Sequence, residues 1–475
     1  MLLWLSIVTY NTPEIGPIGR IGLIGRIGPM HYNVRMTGRS VGYVELLRRN
    51  RDFRNLFVGQ LVSQTGDWFN SVALFTLLLS LTGSGETVGY VLIIKLLPSF
   101  FAGPPAGVVA DRFNRKTIMI VADLARAFLV LGFLFVERQD QVWIVYVLAG
   151  LEIIVSSFFD PAKSAAIPNI VSREELVPAN GLSAASWSVT LALGAALGGL
   201  VTDAFGRNTA FVIDSLSFFI SAAFIARVHL RSRVSSKKRI DRLSLIEVTG
   251  LSDFIDGARY LKSNPRVIAL LLVKSGWGFG GGVLLLLTVY GKQIFPIGRD
   301  GATSIGWLYA ARGLGALIGP VIAGRITSGE PRTMRRAISV AFFVSAAFYL
   351  MFAQAPVLAV ALICVIGAHS GGSIQWVFST TLLQMTVPNR FLGRVFALEM
   401  ALLTLTMSLS TYLTGLGVDH PALGARRMAM ALGLAFTVPG VAWLMLQRKL
   451  DRGDQRRAHT ILEAEPAAEA SYPPS

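Results

Sequence analysis

What most restricts this chain is a series of long apolar runs almost free of charge, such as residues 118–136 and 337–353. Each approaches the ~20 residues that an α-helix needs to cross the hydrocarbon core of a bilayer. Charged residues make up only 15% of the chain, against roughly 25% in soluble domains. A soluble protein of 475 residues would divide into two or three domains with polar surfaces, and no such surfaces are available here. The pattern predicts spans at about 56–80, 87–110, 117–136, 142–160, 180–203 and 208–226. After a polar break it predicts 267–290, 303–324, 337–353, 357–380, 395–416 and 425–446.

The net charge of +16 does not imply a nucleic-acid partner, because basic residues in a membrane protein collect in the cytoplasmic loops. With the N-terminus inside, 34 of the 44 Lys and Arg fall in cytoplasmic segments and 6 in external ones. Both termini are therefore expected in the cytoplasm, with the chain in the cell (inner) membrane as a multi-pass monomer. The single cysteine, Cys364, and five scattered histidines offer no disulfide and no metal-ligand spacing. No cofactor is expected.

The expected organisation is an N-terminal tail (1–52), a first six-helix bundle (53–226), a basic linker (227–266), a second bundle (267–446) and a tail (447–475). Residues 1–40, with Ile-Gly pairs every third residue from Ile15 to Gly28, look foreign to the rest and are expected as a disordered tail or an over-extended start, with Met30 or Met36 beginning the functional chain. The linker carries Ser235 to Arg239 and then a mixed apolar and charged stretch around Phe254 to Lys262, expected as a short interfacial helix.

The two halves repeat. Residues 95–107 align with 312–324 at an offset of 217, and Ala166 to Asn169 with Thr386 to Asn389 at an offset of 220. A unit duplicated in one orientation predicts two pseudo-symmetric bundles about an axis along the membrane normal, with the solute site between them.

After the second predicted span comes Gly107-Val-Val-Ala-Asp111-Arg112-Phe-Asn114-Arg115-Lys116. It resembles the major facilitator superfamily loop signature Gly-x-Leu-Ala-Asp-Arg-x-Gly-Arg-Lys, with Gly107, Asp111, Arg112, Arg115 and Lys116 matching. Asn114 replaces the second Gly, an exchange compatible with a left-handed turn. The resemblance implies a cytoplasmic gate in which the acid bonds a helix end of the opposite bundle. Gly194, Gly198 and Gly199 resemble the fifth-helix Gly-Pro-x-x-Gly-Gly motif of facilitator antiporters, with Ala195 in the Pro position. Small residues four apart also permit close helix packing in lipid. Residues 59–68, Asp123 to Ala127, Phe159 to Ala162 and Ala179 to Gly181 narrow the likeness to the branch of macrolide-efflux and enterobactin exporters. The implied fold is an all-α membrane protein with twelve transmembrane helices.

An ionisable group at mid-membrane costs about 2.5 kcal/mol or more, so it faces the interior and is paired or functional. Asp67, Lys95, Arg126, Glu152, Lys274 and Arg312 are the candidates for a proton-coupling or substrate cavity, joined by Gln64 on the polar stripe of the first span. Asp123 and Arg126, three apart, are expected to pair on one helix face. The glycine-rich stretch Gly276 to Gly282 fits either a bending helix or close packing. Together these features point to a secondary transporter of a small molecule, a proton-driven exporter of an amphipathic drug-like or siderophore-like compound. Uptake of a nutrient is the alternative, and a non-transporting membrane sensor or assembly protein is a distant third. No nucleophile, metal cluster or phosphate loop suggests an enzyme.

Overall fold

The computed structural model describes residues 42–469 apart from 173, 231–258 and 328–329. The Ile-Gly repeat and most of the basic linker thus lie outside the described residues. The described residues are helical and contain no strand, as backbone polar groups in lipid require when each segment must satisfy its own hydrogen bonds.

Twelve spans follow one another. Span one is Arg51–Thr82, and span two is Gly85–Ile94 continued by Leu97–Arg112. Span three is Arg115–Leu131, four is Val142–Ile170, five is Leu176–Phe205 and six is Arg207–Ala226. Span seven is Pro265–Gly278 with Val283–Val289. Spans eight to eleven are Ala302–Ile326, Pro331–Ala353, Leu358–Thr386 and Asn389–Asp419, and span twelve opens the helix Gly424–Glu469. Ten of these are long and apolar enough to cross a membrane by composition alone. Of the other two, span one is diluted by Gln60, Ser63, Gln64, Asp67 and Asn70. Span two is interrupted at Lys95 and Leu96, just before Pro98. Pro98 has no N–H to donate to the Ile94 carbonyl four residues earlier, and its ring crowds that carbonyl, which accounts for the interruption.

Residues 43–49, expected at the end of a tail, form a short helix with Leu46 buried. Asn50 then caps span one by accepting from the Phe53 amide at 2.9 Å, while its own amide donates to the Ile170 carbonyl at 2.7 Å. Span twelve continues as helix into the polar C-terminal segment, as far as Glu469.

Within the first half, span one packs against spans five and six, and span three against four and six. In the second half, span nine packs on ten and twelve, and span eight on ten. The halves meet along two seams, span five on span eight and span two on span eleven. Large apolar side chains such as Phe128, Leu193, Val340, Ile363 and Leu409 remain exposed and form the lipid-facing surface.

At one end of the bundle both seams are latched by a carboxylate on a helix start. Asp203, near the end of span five, accepts from the Arg299 amide at 2.6 Å and from the Thr303 hydroxyl at 2.9 Å. Asp419, at the end of span eleven, accepts from the Gly85 and Glu86 amides at 2.9 and 3.0 Å and from the Ser84 hydroxyl at 2.5 Å. A negative side chain at a helix N-terminus satisfies unbonded amides and opposes the positive end of the dipole. The two acids lie 216 positions apart, close to the spacing of the sequence repeat. The opposite end, which carries Arg115, Lys116, Arg325 and Arg335, is the basic one.

Candidate functional site

Span one places Gln60, Gln64, Asp67 and Ser71 on one helical face, because residues three and four apart stack. The Gln60 amide donates to Ser186 of span five at 3.0 Å. Asp67 bonds Arg126 of span three at 2.5 Å, and the same guanidinium lies 3.8 Å from Glu152 of span four. Asn70 donates to Glu152 at 3.4 Å, and Arg126 stacks over the Phe218 ring, 4.1 Å from its centroid. Asp214 of span six completes the cluster: carboxylate oxygens of Asp67, Glu152 and Asp214 lie within 4.8 Å of one another. Lys95, at the interruption of span two, donates to the Ser71 hydroxyl at 3.2 Å. Gly66 makes room for this arrangement, since a Cβ there would fall 2.4 Å from the Asp214 carboxylate.

The structure therefore brings together Asp67, Arg126 and Glu152, with Lys95 one turn of span one away. Asp67 keeps 33% of its side chain exposed at the middle of a span. The expected Asp123–Arg126 pair is not formed: Arg126 turns to spans one and four, while both Asp123 carboxylate oxygens are buried without a hydrogen-bond partner. Residues three apart point about 60° apart, enough to send the two side chains to different neighbours. Among the described residues, Asp67, Glu152 and Asp214 form the one group with metal-like spacing. The guanidinium inserted among them competes with any metal cation.

The second half is built differently. Lys274 is locked to Glu399 at 2.8 Å, both buried, and lies 4.5 Å from the centroid of Trp376. Arg312 stands apart from that pair, against Trp187 of span five at 5.4 Å. The two repeat-related cations thus differ, Lys95 sitting at a helix interruption and Arg312 within a continuous helix.

In the loop after span two, Arg115 donates to the carbonyls of Ala110 and Ala165 at 3.2 and 2.8 Å. Lys116 donates to the Ala226 carbonyl at 2.6 Å. These cations cap helix ends of their own half. Asn114 is an extended N-cap, accepting from the Lys116 and Thr117 amides at 3.0 and 3.4 Å, not a left-handed turn residue. Asp111, Arg112 and Gly107 lie outside the residues whose side chains are described. The helix that carries them reaches span eleven of the other half.

The fifth-helix glycines all pack closely against neighbouring helices, Gly198 and Gly199 against backbone. A Cβ on Gly194 would meet Trp68 at 3.1 Å and one on Gly198 would meet Phe69 Cα at 2.9 Å, both on span one. A Cβ on Gly199 would meet the Ala302 carbonyl at 2.6 Å and Gly306 Cα at 3.0 Å, on span eight. Span seven is both interrupted and tightly packed at its glycines: a Cβ on Gly281 would meet Met407 Cα at 2.7 Å.

Asp203, Asp419 and Glu399 were not singled out as site residues from the sequence. Their partners lie roughly a hundred or more positions away; the repeat offset of the first two carried a signal, and Glu399 was legible as an acid inside an apolar run.

The comparisons agree with this architecture. The chain is similar to the uncharacterized MFS-type transporter YfiS of Bacillus subtilis (27% identity over 84% of this chain and 93% of the relative). It is similar to macrolide efflux protein A of Streptococcus pyogenes (26%, 84% and 97%). Among solved structures, a bacterial homologue of the iron transporter ferroportin in an inward-facing state superposes with a TM-score of 0.63 at 17% identity, covering 84% of this chain and 98% of that one. The profile of the Major Facilitator Superfamily matches residues 56–411, three quarters of the chain, and the protein accordingly belongs to the Major Facilitator Superfamily of membrane transporters.

Proposed function

We propose that this transporter exports a small amphipathic compound in exchange for protons, by alternating access between residues 53–226 and 267–446. The observation that carries the reading is the mid-span cluster of three carboxylates, two buried and one half-buried, around one guanidinium. That stoichiometry leaves surplus negative charge in a poorly solvated place, and binding a proton is the least costly way to remove it. Efflux is favoured over uptake by the similarity to macrolide efflux protein A. The excess of Lys and Arg at the basic end supports a cytoplasmic location for that end and for both termini, in the inner membrane. The latched end is then external, and this conformation is closed to the outside.

In this reading Asp67 is the exchangeable acid, Arg126 its alternate counter-charge and Glu152 the acid to which Arg126 turns when Asp67 is protonated. Gly107, Asp111, Arg112, Arg115 and Lys116 form the cytoplasmic gate. The chain works as a monomer with no cofactor. The test is transport in everted vesicles with an imposed pH gradient, screening macrolides and siderophores. Asp67→Asn is expected to abolish uphill transport while sparing downhill exchange. Uphill transport by the correctly inserted variant would move the carrier to another residue, with Glu152 next.

A further inference from the structure

The charges buried in the two halves do not balance in the same way. In the first half four acids, Asp67, Asp123, Glu152 and Asp214, face two cations, Lys95 and Arg126. In the second half Glu399 is consumed by Lys274 at 2.8 Å, and Arg312 has no carboxylate within 4 Å among the described residues. Arg312 is only 8% exposed, and its Nε has no hydrogen-bond partner. Its guanidinium lies 5.4 Å from the centroid of the Trp187 indole, which is 44% exposed and belongs to the other half of the molecule. A cation–π contact moderates a buried charge but does not replace a counter-ion.

The surroundings of Arg312 are rich in polar aromatics. Tyr309, one turn earlier on the same helix, is fixed by donating to the Leu284 carbonyl at 2.9 Å. Tyr349 of span nine and His369 of span ten are bonded to each other at 3.0 Å. His369 sits beside the turn after Arg312, since a Cβ on Gly315 would meet its Cβ at 3.0 Å. The guanidinium thus lies at the junction of spans five, eight, nine and ten, on the seam between the halves, and nothing described there carries a negative charge.

We propose that Arg312 and Trp187 form a substrate subsite for a carboxylate, or a comparable single anionic group, attached to an apolar or aromatic body. The planar fork of the guanidinium receives the anion, and the indole covers the adjoining apolar part. Because Arg312 and Trp187 lie on different halves, a ligand there touches both sides of the seam that must move in alternating access. The proposal rests on the export reading for its place in a transport cycle, but it concerns binding, and binding is measured separately.

The test is equilibrium binding of 2-naphthylacetate and of the uncharged 2-naphthylacetamide to the full-length detergent-solubilised protein. The acid is expected to bind at least tenfold more tightly than the amide, and the preference is expected to persist largely in high salt, because a pair formed at a buried guanidinium is weakly screened. Arg312→Gln is expected to reduce the acid-to-amide ratio to near one, Arg312→Lys to keep part of it, and Trp187→Leu to weaken both ligands together. Equal binding of acid and amide by the wild-type protein, or binding of neither, overturns the proposal, even where Arg312→Gln fails to fold. A folded Arg312→Gln variant that keeps the full preference overturns it as well. If the preference is present and Arg312-dependent but neither the probes nor any macrolide or siderophore of the panel is transported in vesicles, the subsite stands and the export reading falls.

Discussion

At the scale of single residues, the molecule is organised by where charge is paid back within the spans. Arg126 is satisfied twice, by Asp67 and by Glu152, so its removal leaves three acids together. Arg126→Met is therefore expected to cost both transport and stability, and Arg126→Lys to recover stability more than transport, because an ammonium keeps the positive charge but lacks the rigid planar fork with which a guanidinium holds two carboxylates in a fixed geometry. Thermal melting with and without the substitutions, beside vesicle transport, separates the two losses. Gly66→Ala is expected to destabilise by about 1–3 kcal/mol, the usual cost of overpacking a filled interior, since its Cβ would fall 2.2 Å from the Ser217 hydroxyl oxygen. An unchanged melting temperature would show that span six moves aside freely. Asp67 was legible in the sequence as an acid among polar neighbours in an apolar run, and Arg126 and Glu152 as intramembrane charges. The partnership was only partly legible, because Asp123 at three residues from Arg126 was as good a candidate on spacing alone.

At the scale of helices, the seams between the two halves are lined by small residues. Gly199 and Gly306 bring spans five and eight into backbone contact, and Gly85 and Gly89 lie on the span two seam against Val418 and Thr411. Close backbone approach without interlocking side chains suits helices that must pivot against each other. Gly199→Leu is expected to abolish transport, and Gly194→Leu, which faces span one within the same half, to act chiefly on stability. Comparing melting temperature with transport for the two variants checks the distinction, and equal loss of both properties in both would remove it. The positions of the helices were readable from hydropathy, and so was the glycine motif. The interruption of span two at Lys95 and Leu96 was missed although Pro98 announced it. Apolar composition alone carries no information about a break inside a run.

At the scale of the whole molecule, the duplicated sequence becomes a duplicated device. Asp203 latches the first half to the start of span eight, and Asp419 latches the second half to the start of span two. If these are the bonds that must open when the far side is exposed, Asp203→Ala and Asp419→Ala together are expected to shift the population toward the state open at that end. Thiol labelling reads this directly: in a Cys364→Ala background, a cysteine at Gln64 is expected to react several-fold faster with an impermeant reagent added at the latched end than it does with the latches intact. Unchanged labelling would reduce both acids to ordinary helix caps. The twofold plan was legible from the repeats and the family from its loop signature. The latches were not, because they join residues that only the packed halves bring together.

The account's central claim is that proton entry drives export through the Asp67 cluster, and one measurement addresses it most directly. Everted vesicles containing the wild-type protein or Asp67→Asn are given a pH gradient, acid inside, and uptake of a panel of macrolides and siderophores is followed to steady state. The account predicts accumulation of at least one compound above equilibrium by the wild-type protein, collapse of that accumulation when the gradient is dissipated, and no accumulation but continued equilibration by Asp67→Asn. Accumulation that is indifferent to the gradient, or equally strong in the correctly inserted Asp67→Asn variant, would contradict it.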